Sequence, residues 1–277
     1  MTLLGHKAPP TALLGLFIIL LNLAIAIAGP WLAPYGETQV IGGGWDPSSS
    51  TAWFGTDQIG RDMMTRLIYG ARMTIGIAFV TTLLSFAIGI TVGLVAATMG
   101  RWIDVVITRL VDVVLSIPLL IWALMILNVF GQTLTSLTLT IAFLDSTRVF
   151  RLARALGMNI VALDFVEVAR LRGEGLWWVI SREVLPNCAA PLMSEFGLRF
   201  CFNFLFIAAL SFLGLGVPLP YADWGGMVKD NVGGISFGLP AALYPAAAIA
   251  LLTVGINLVV DWFLSIDARP SGAQAEM

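Results

Sequence analysis

Apolar stretches of membrane-spanning length recur along this chain of 277 residues. A helix needs about 20 predominantly apolar residues to cross the hydrocarbon core of a bilayer. The stretches that meet or approach this length, the fourth with a polar continuation, are Thr11–Trp31, Met73–Met99, Val105–Phe130, Leu134–Thr147, Pro191–Gly216 and Leu239–Leu264. The pattern predicts an all-α integral membrane protein with about six transmembrane helices.

Composition indicates that lipid is the solvent of this chain. Hydrophobic residues make up 58% of it and charged residues only 12%, against about 25% charged in a soluble domain. The net charge of -2 offers no basic surplus for phosphates, so no nucleic-acid partner is expected. The first apolar stretch is long for a signal peptide and lacks a clear small-residue cleavage site, so we expect a retained anchor.

The chain lacks the side chains that covalent or metal chemistry requires. His6 is the only histidine, and Cys188 and Cys201 are the only cysteines, which favours small apolar fillers over a metal or disulfide site. No nucleophile triad, phosphate loop or dinucleotide motif occurs. We therefore expect no enzyme activity, and no cofactor or metal bound by this chain. Any energy for its work must enter through a partner.

Lysine and arginine residues at the predicted span ends indicate the orientation in the membrane. Most of them fall on the side that holds both chain ends, and this excess is typical of the cytoplasmic side. The smaller set on the opposite side consists of Arg61, Arg66, Arg72 and Lys229. Both termini and the connection 157–187 are therefore predicted to be cytoplasmic.

These assignments divide the chain into four parts. Residues 1–31 are predicted to form a cytoplasmic N-terminus and the first anchor. Residues 32–72 form an outer loop followed by an interfacial helix from Asp57 to Arg72. Residues 73–264 form a five-helix core that includes the loop 157–187, and residues 265–277 form a cytoplasmic tail.

The cytoplasmic loop contains a short amphipathic pattern over Asp164–Gly173. Asp164 is predicted to be the N-cap, with Glu167 at the third helical position, as in a capping box. Gly173 is predicted to end the helix in the left-handed conformation. The residues predicted to share one side are Phe165, Val168, Ala169 and Arg172.

A second helix over Leu176–Glu183 is predicted to follow, ending before Leu185-Pro186-Asn187. A hairpin of two short helices is suited to docking in a groove of a cytoplasmic partner. From spacing alone, an ordinary solvated loop with some amphipathic character is the favoured interpretation, and docking is the alternative.

The same loop resembles the EAA loop of bacterial ABC importer permeases. The matching residues are Glu167-Val168-Ala169, Gly173 three residues later and, after nine more residues, Glu183-Val184-Leu185-Pro186. Val168 and Glu183 depart from that pattern, which prefers alanine and an apolar residue there. The Val168 change would alter how closely the helix packs on its partner.

Further motifs narrow the resemblance to the C-type permeases of dipeptide, oligopeptide and nickel importers. On the predicted outer side, the matching residues include Gly55, Asp57, Gly60, Arg61 and Asp62. The remaining matches, in the order of the family, are Arg66, Gly70-Ala71-Arg72, Arg151-Leu-Ala-Arg154, Ser211–Gly216, Pro218, Pro220, Trp224-Gly225, Pro245, Asn257-Leu258 and Asp261. The resemblance covers residues 54–269.

This resemblance implies the fold and partners of a type I ABC importer. It implies a cytoplasmic coupling helix between the fourth and fifth spans, in a bacterial cytoplasmic (inner) membrane. The implied partners are a second permease, two ATP-binding subunits that hold ATP and Mg, and an extracytoplasmic binding protein. The residues it assigns to coupling are Asp164, Glu167, Ala169, Arg170, Gly173, Leu185 and Pro186.

The implied solute is a di- or oligopeptide. The alternatives within the same class are nickel or another metal chelate, glutathione, an opine-like solute or a small sugar conjugate, since the binding protein largely selects the solute. An ion-driven secondary transporter is a distant alternative, because neither an inverted repeat nor broken helices are visible in the sequence. A purely structural assembly subunit would leave the ordered motifs unexplained.

Polar residues inside spans need partners or a function. Glu195 with Arg199 and Arg109 with Asp112 are spaced to pair on one helix face, as are Asp145 and Arg148. The candidates for a solute pathway are Asn128, Gln132, Glu195, Arg199, Asn203 and Asn257. Local charge compensation and interhelical hydrogen bonds are the alternatives for them. The outer residues either stabilise their own loop or contact the binding protein.

Overall fold

The computed structural model describes residues 2–3, 6–7 and 9–267. A short antiparallel pair of strands, β1 (Thr2–Leu3) and β2 (His6–Lys7), precedes the helices. The helices are α1 Pro10–Leu32, α2 Met63–Met99, α3 Arg101–Leu115, α4 Leu119–Phe130, α5 Leu134–Val161, α6 Asp164–Leu171, α7 Leu176–Trp178, α8 Leu185–Phe212, α9 Trp224–Asn231 and α10 Leu243–Asp267. A π-helical segment, Val179–Val184, joins α7 to α8, and a 3₁₀ helix, Val232–Phe237, follows α9. The predicted all-α class is confirmed.

Four helical stretches in the described part of the chain are long and apolar enough to cross a membrane. They are Pro10–Gly29, Met63–Met99, Leu176–Phe212 and Leu243–Ser265. The pair α3–α4 would be a fifth crossing if the two helices count as one span. Helix α5 is continuous but contains several charged residues, so it is not apolar enough to count as a further crossing. The number of six spans therefore remains a prediction.

Helix α2 differs from the predicted arrangement of an interfacial helix followed by a separate span. It begins at Met63 and runs unbroken to Met99, so no separate helix forms over residues 57–72. The side chain of Asp62 accepts a hydrogen bond from the Thr65 amide at 2.7 Å, as an N-cap residue does. At 1.5 Å per residue the helix is about 55 Å long, which exceeds the hydrocarbon thickness.

The predicted break at Leu185-Pro186 is also wrong. The helix continues from Leu176 through the π-helical segment to Phe212. The amide of Leu185 donates to the carbonyl of Ile180, five residues back. The chain therefore reaches Pro186 in a wider turn, where a residue without an N–H is tolerated.

The predicted third span, Val105–Phe130, is bent by 86° between α3 and α4. Pro118 lies in the connecting residues and disfavours helical conformation in the residue before it. The indole N–H of Trp122 donates to the carbonyl of Val114 at 2.9 Å, which closes the inner side of the bend.

The helical part of the chain divides into two compact units. The first comprises Met1–Phe79, Gly131–Leu137 and Phe200–Met277. Within it, α1 packs along α10 where Gly15 faces Gly255. A β-carbon at Gly15 would lie 2.6 Å from the Gly255 carbonyl oxygen, so glycine is required for this close approach.

The second unit comprises Val80–Phe130 and Thr138–Arg199. Within it, glycines of α2 lie against the backbone of α5. A β-carbon at Gly89 would lie 2.7 Å from the Ser146 carbonyl oxygen, and one at Gly93 would lie 2.8 Å from that of Phe150. Such small-residue contacts let two membrane helices pack backbone to backbone.

Candidate coupling segment and charged clusters

The coupling segment, Asp164–Gly173, forms the predicted short helix but not with the predicted N-cap. Leu163 occupies the N-cap position, and no side chain caps the helix there. Asp164 is instead the first helical residue, and Asp164 and Glu167 both lie in the first turn. Two carboxylates at this end interact favourably with the partial positive charge of the helix N-terminus.

The end of the coupling segment is closed by a Schellman motif. Gly173 has the predicted left-handed conformation, with φ +84°. The Gly173 amide donates to the Arg170 carbonyl at 2.9 Å, and the Glu174 amide donates to the Ala169 carbonyl at 3.2 Å. These two bonds are the pattern that ends a helix at glycine.

On the inner face of the coupling segment, the position of Ala169 differs from the prediction. Ala169 and Val166 are both fully buried. They belong to an apolar cluster within the second unit whose other buried members are Leu94, Ala153, Val179, Ile180, Val184, Cys188 and Leu192. Ala169 therefore packs inside this subunit and is not on the side that Phe165 and Val168 share.

The outer face of the coupling segment is apolar and exposed. Val168 is 52% exposed and Leu171 80%, with Phe165 beside them. The Arg172 guanidinium lies 5.8 Å from the ring centroid of Trp178, within cation–π range. The outer face is therefore a small apolar surface bordered by a fixed positive charge.

Two of the three other predicted coupling residues, Arg170 and Leu185, attach the segment to its own subunit. The Arg170 guanidinium donates to the carbonyl of Thr98, at the end of α2, at 2.8 Å. Leu185 packs against the same apolar cluster as Ala169, whereas Pro186 is exposed.

The predicted pair of Glu195 and Arg199 is present on α8. Arg199 Nε donates to Glu195 Oε1 at 2.5 Å, and Arg199 Nη1 lies 3.5 Å from Asp145 Oδ1 of α5. We name these three residues the α5–α8 charge cluster. It joins two helices of the second unit, a connection that pairing along one helix did not predict.

The four amide candidates for a pathway differ in their burial and in their contacts. The side-chain amide of Asn128 donates through Nδ2 to the Leu124 carbonyl of its own helix at 2.7 Å, and Gln132 is exposed. Asn203 is fully buried. Asn257 Nδ2 lies 3.8 Å from Cys201 Sγ, a contact between α10 and α8 within the first unit.

Two ion pairs between α3 and α5 were missed by the sequence analysis. Arg154 binds Asp104 with both ends of its guanidinium, and the Nη2–Oδ2 bond is 2.6 Å. Arg151 pairs with Asp112 at 2.7 Å, so the predicted pairing of Asp112 with Arg109 is wrong. Spacing gave no signal for these pairs, because it identifies neighbours on one helix and not partners on two different helices.

The predicted outer-side residues form a buried network. Asp57 accepts from Arg61 Nε at 2.6 Å and from the Arg61 amide at 2.9 Å. Arg66 Nε lies 3.7 Å from the same carboxylate. Asp57, Arg61 and Asp62 are all buried. This geometry stabilises the loop itself. It fits the first of the two interpretations given above, in which these residues stabilise their own loop.

Glycines allow this outer loop to fold closely on itself. Gly55 and Gly60 both have positive φ, +72° and +86°. A β-carbon at Gly55 would lie 2.5 Å from the Asp46 carbonyl oxygen, so a larger residue would displace the loop.

Asn231, at the end of α9, joins the outer loop to the rest of the first unit and was not identified from the sequence. Its Oδ1 accepts from the Gln58 amide at 3.1 Å and from the Trp45 indole N–H at 3.3 Å. Its Nδ2 donates to the Met227 carbonyl at 2.8 Å. A single buried side chain thus satisfies two donors of the loop.

Two regions of the chain match known protein families. Residues 89–269 match the family described as the binding-protein-dependent transport system inner membrane component. Residues 7–43 match the N-terminal transmembrane domain of oligopeptide transport permease C.

Curated relatives extend over most of the chain. The dipeptide transport system permease protein DppC of Alkalihalophilus pseudofirmus is 34% identical over 92% of this chain and 84% of its own length. The di/tripeptide transport system permease protein DppC of Pseudomonas aeruginosa is 34% identical over 90% and 85%. The glutathione transport system permease protein GsiD of Pectobacterium atrosepticum is 30% identical over 89% and 82%.

Proposed function

Because the chain belongs to the family of binding-protein-dependent transport system inner membrane components, we propose that it forms half of the translocation pathway of an ATP-driven peptide importer. The other half is a second permease. Two ATP-binding subunits, which hold ATP and Mg, drive the movement, and an extracytoplasmic binding protein delivers the peptide. This chain makes no covalent change to the solute.

The observation that carries the proposal is the two-sided coupling segment. Its inner face anchors Val166 and Ala169 in the subunit core, and its outer face presents Val168 and Leu171 to solvent. A helix that exposes apolar residues while its other face is fixed is suited to a partner's groove. Both chain ends and this segment lie in the cytoplasm in our proposal, with the outer loop on the opposite side.

Rigid coupling requires that the segment moves together with the span that follows it. The buried cluster contains residues of the coupling segment, the π-helical segment and α8. Closure of the ATP-binding subunits would therefore pull on α8 through packed side chains, which is how small displacements reach a distant gate.

Peptides are the proposed solutes because relatives named for dipeptide and di/tripeptide transport align over most of the chain. A glutathione permease aligns as well. Glutathione, nickel or another metal chelate, and opine-like solutes are the alternatives within the same machine.

Purification in a mild detergent, followed by mass spectrometry of the associated chains, tests this function. The wild-type protein should recover a second permease and ATP-binding subunits. Val168→Asp should lose the ATP-binding subunits and keep the second permease, because a charge replaces an apolar contact at the dock. Recovery of the wild-type chain alone would contradict the importer.

Val40→Asp is the matched control for this variant. Val40 is 58% exposed on the predicted outer side, close to the 52% of Val168, so the same charge is introduced at similar exposure. The control should keep all subunits. If Val168→Asp also keeps its ATP-binding subunits, the coupling segment is not their docking surface.

A further inference from the structure

A cavity of about 120 Å³ lies on the predicted outer side of the first unit. Its lining comes from the outer loop, between positions 45 and 56, and from positions 239–244 around the start of α10. At about 30 Å³ for each water molecule, the cavity has room for about four waters. It therefore suits the end of one side chain rather than a whole peptide.

Aromatic rings and a carboxylate occur together in the lining of this cavity. Phe54 and Tyr244 stack with their ring centroids 4.7 Å apart, and Trp45 and the exposed Asp46 also line the cavity. The lining residues that the structure describes include no lysine or arginine. Aromatic rings attract cations through their negative faces, and a carboxylate adds a full negative charge. The cavity therefore fits the positively charged end of a ligand.

Asp46 differs from the other acidic residues nearby in the loop. Asp57 is buried and pairs with Arg61, and Asp62 is buried at the start of α2. Asp46 is exposed, and within residues 9–267 it forms no ion pair. Its charge is therefore available to a group from another molecule.

Hydrogen bonds hold Asp46 in place. Its Oδ2 accepts from the Gly43 amide at 2.6 Å, and its own amide donates to Thr56 Oγ1 at 2.8 Å. The Thr56 hydroxyl in turn donates to the Gly43 carbonyl at 2.7 Å. A charge that is positioned before its ligand arrives loses less conformational entropy on binding.

Trp45 has a backbone conformation that bulky residues rarely adopt, with φ +56°. Its indole N–H bonds to Asn231, and its ring lies 5.7 Å from that of Phe237. Such conformations persist where the surrounding contacts impose them, and they are concentrated at functional sites. Phe237 is 71% exposed and Trp53, next to Phe54 in the sequence, is 68% exposed. Exposed aromatic residues beside a pocket are typical of surfaces that bind other proteins.

We propose that this cavity, which we name the outer pocket, receives a lysine or arginine side chain of the extracytoplasmic binding protein when that protein docks. The cation pairs with Asp46 and contacts the aromatic lining, while Phe237 and Trp53 contact the docked surface around it. The inference rests on the proposed function, since it assumes that a binding protein delivers the solute to this side of the membrane.

The first experiment measures how tightly the dipeptide-loaded binding protein associates with the complete importer in nanodiscs. Asp46→Asn should weaken this association about fivefold, because the charge is lost while an oxygen remains to accept from Gly43. The affinity of the wild type should fall more steeply with added salt than that of the variant, since salt screens a charged contact. Glu183→Gln is the matched control, because it removes the same charge on the predicted cytoplasmic side. It should leave the affinity and its salt dependence unchanged.

Two results of this experiment would overturn the inference. The first is equal affinity and equal salt dependence in Asp46→Asn and the wild type. The second is a loss of dipeptide uptake without a loss of affinity, because the outer pocket would then bind the solute. A wild-type importer that associates with no binding protein would instead contradict the proposed function.

The second experiment replaces Phe54 by the photoreactive p-benzoylphenylalanine and identifies what it cross-links in the assembled importer. A cross-link to the binding protein beside a lysine or arginine would support the inference. Replacing that basic residue by glutamine should weaken the association by the same factor as Asp46→Asn, and the double variant should be no weaker than either single variant. Cross-links only to lipid or to the second permease, or additive losses in the double variant, would refute the outer pocket as a docking point.

Discussion

Trp224 packs onto Gly70 of α2, and its indole N–H donates to the carbonyl of Leu67 at 2.9 Å. A β-carbon at Gly70 would lie 2.8 Å from Cδ1 of the Trp224 ring. The two residues belong to motifs that are more than 150 positions apart in the sequence. Their contact explains why a glycine on α2 and a tryptophan at the start of α9 occur together.

We predict that Gly70→Ala destabilises the protein by about 1–3 kcal/mol, because the buried indole must move to admit a methyl group. Gly76→Ala is the matched control on the same helix, where a β-carbon meets nothing within 4 Å. Thermal unfolding of the two purified variants in one detergent would measure the difference. Equal melting temperatures would contradict the Trp224–Gly70 contact.

The second prediction concerns the turn that ends the coupling segment. Gly173→Ala should lower the free energy of unfolding by about 1–2 kcal/mol, because a β-carbon strains the left-handed conformation. Gly173→Pro and Glu167→Lys should both abolish transport while membrane insertion stays normal. The control is Gly175→Ala, since Gly175 has φ -75° and open space around it. Transport that survives both Gly173→Pro and Glu167→Lys would exclude this segment from coupling.

The third prediction tests the bonds of Asn231. Asn231→Ala should destabilise the outer loop by about 1–3 kcal/mol, because the donors on Trp45 and Gln58 lose their acceptor. Limited proteolysis within residues 36–61 should become faster. Asn128→Ala removes only a bond within its own helix and should leave the cleavage rate unchanged. Equal rates in both variants would show that Asn231 does not hold the loop.

The fourth prediction concerns Asp223, the buried N-cap of α9, whose side chain accepts from the Gly226 amide at 3.0 Å. Burial raises the pKa of Asp223 above its ordinary value of 3.8, and the hydrogen bonds from Gly226 and Ser211 partly oppose this. Because the charged form is disfavoured in the folded state, the contribution of Asp223 to stability should be fully present below pH 3.8 and should be lost as pH rises through the raised pKa.

Two variants of Asp223 separate the cap from the charge. Asp223→Asn keeps the cap and loses this pH dependence, so at neutral pH it should match or exceed the stability of the wild type. Asp223→Ala removes the cap and should therefore lower the free energy of unfolding by about 1 kcal/mol at neutral pH. Unfolding followed from pH 4 to 7 would check both, and a pH dependence that persists in Asp223→Asn would contradict the assignment.

The fifth prediction uses charge reversal across α3 and α5. Asp104→Arg and Arg154→Asp should each reduce assembly of folded protein, because each places two like charges in contact. The double variant should recover part of the loss, since it restores an opposite pair. The yield of monodisperse protein measures this. A double variant worse than either single variant would show that the pair does not contribute through its charges.

Local patterns predicted much of this structure. Apolar runs predicted the α class, and spacing predicted the pair of Glu195 with Arg199 and the left-handed Gly173. A spacing pattern gives the faces of a helix but not which face turns to the core, and for this reason Ala169 was assigned to the wrong side. Pro118 was visible in the sequence, but a long apolar run concealed that it breaks a helix.

Contacts between distant segments could not be predicted in the same way. Arg151 pairs with Asp112 rather than with a residue on its own helix, and Asn231 bonds to a loop 173 positions earlier. Such partners depend on how helices pack, which a single sequence specifies only through the sum of many weak preferences.

The Schellman closure of the coupling segment has a consequence for the order of assembly. Its two bonds join residues at most five positions apart, so they can form as soon as this stretch of chain has been synthesised. The conformational entropy of the segment is then lost while this subunit folds, before any cytoplasmic chain arrives. If the segment is the docking surface that we propose, an ATP-binding subunit would meet a surface that is already ordered, which favours tighter association than a loop that must order on contact.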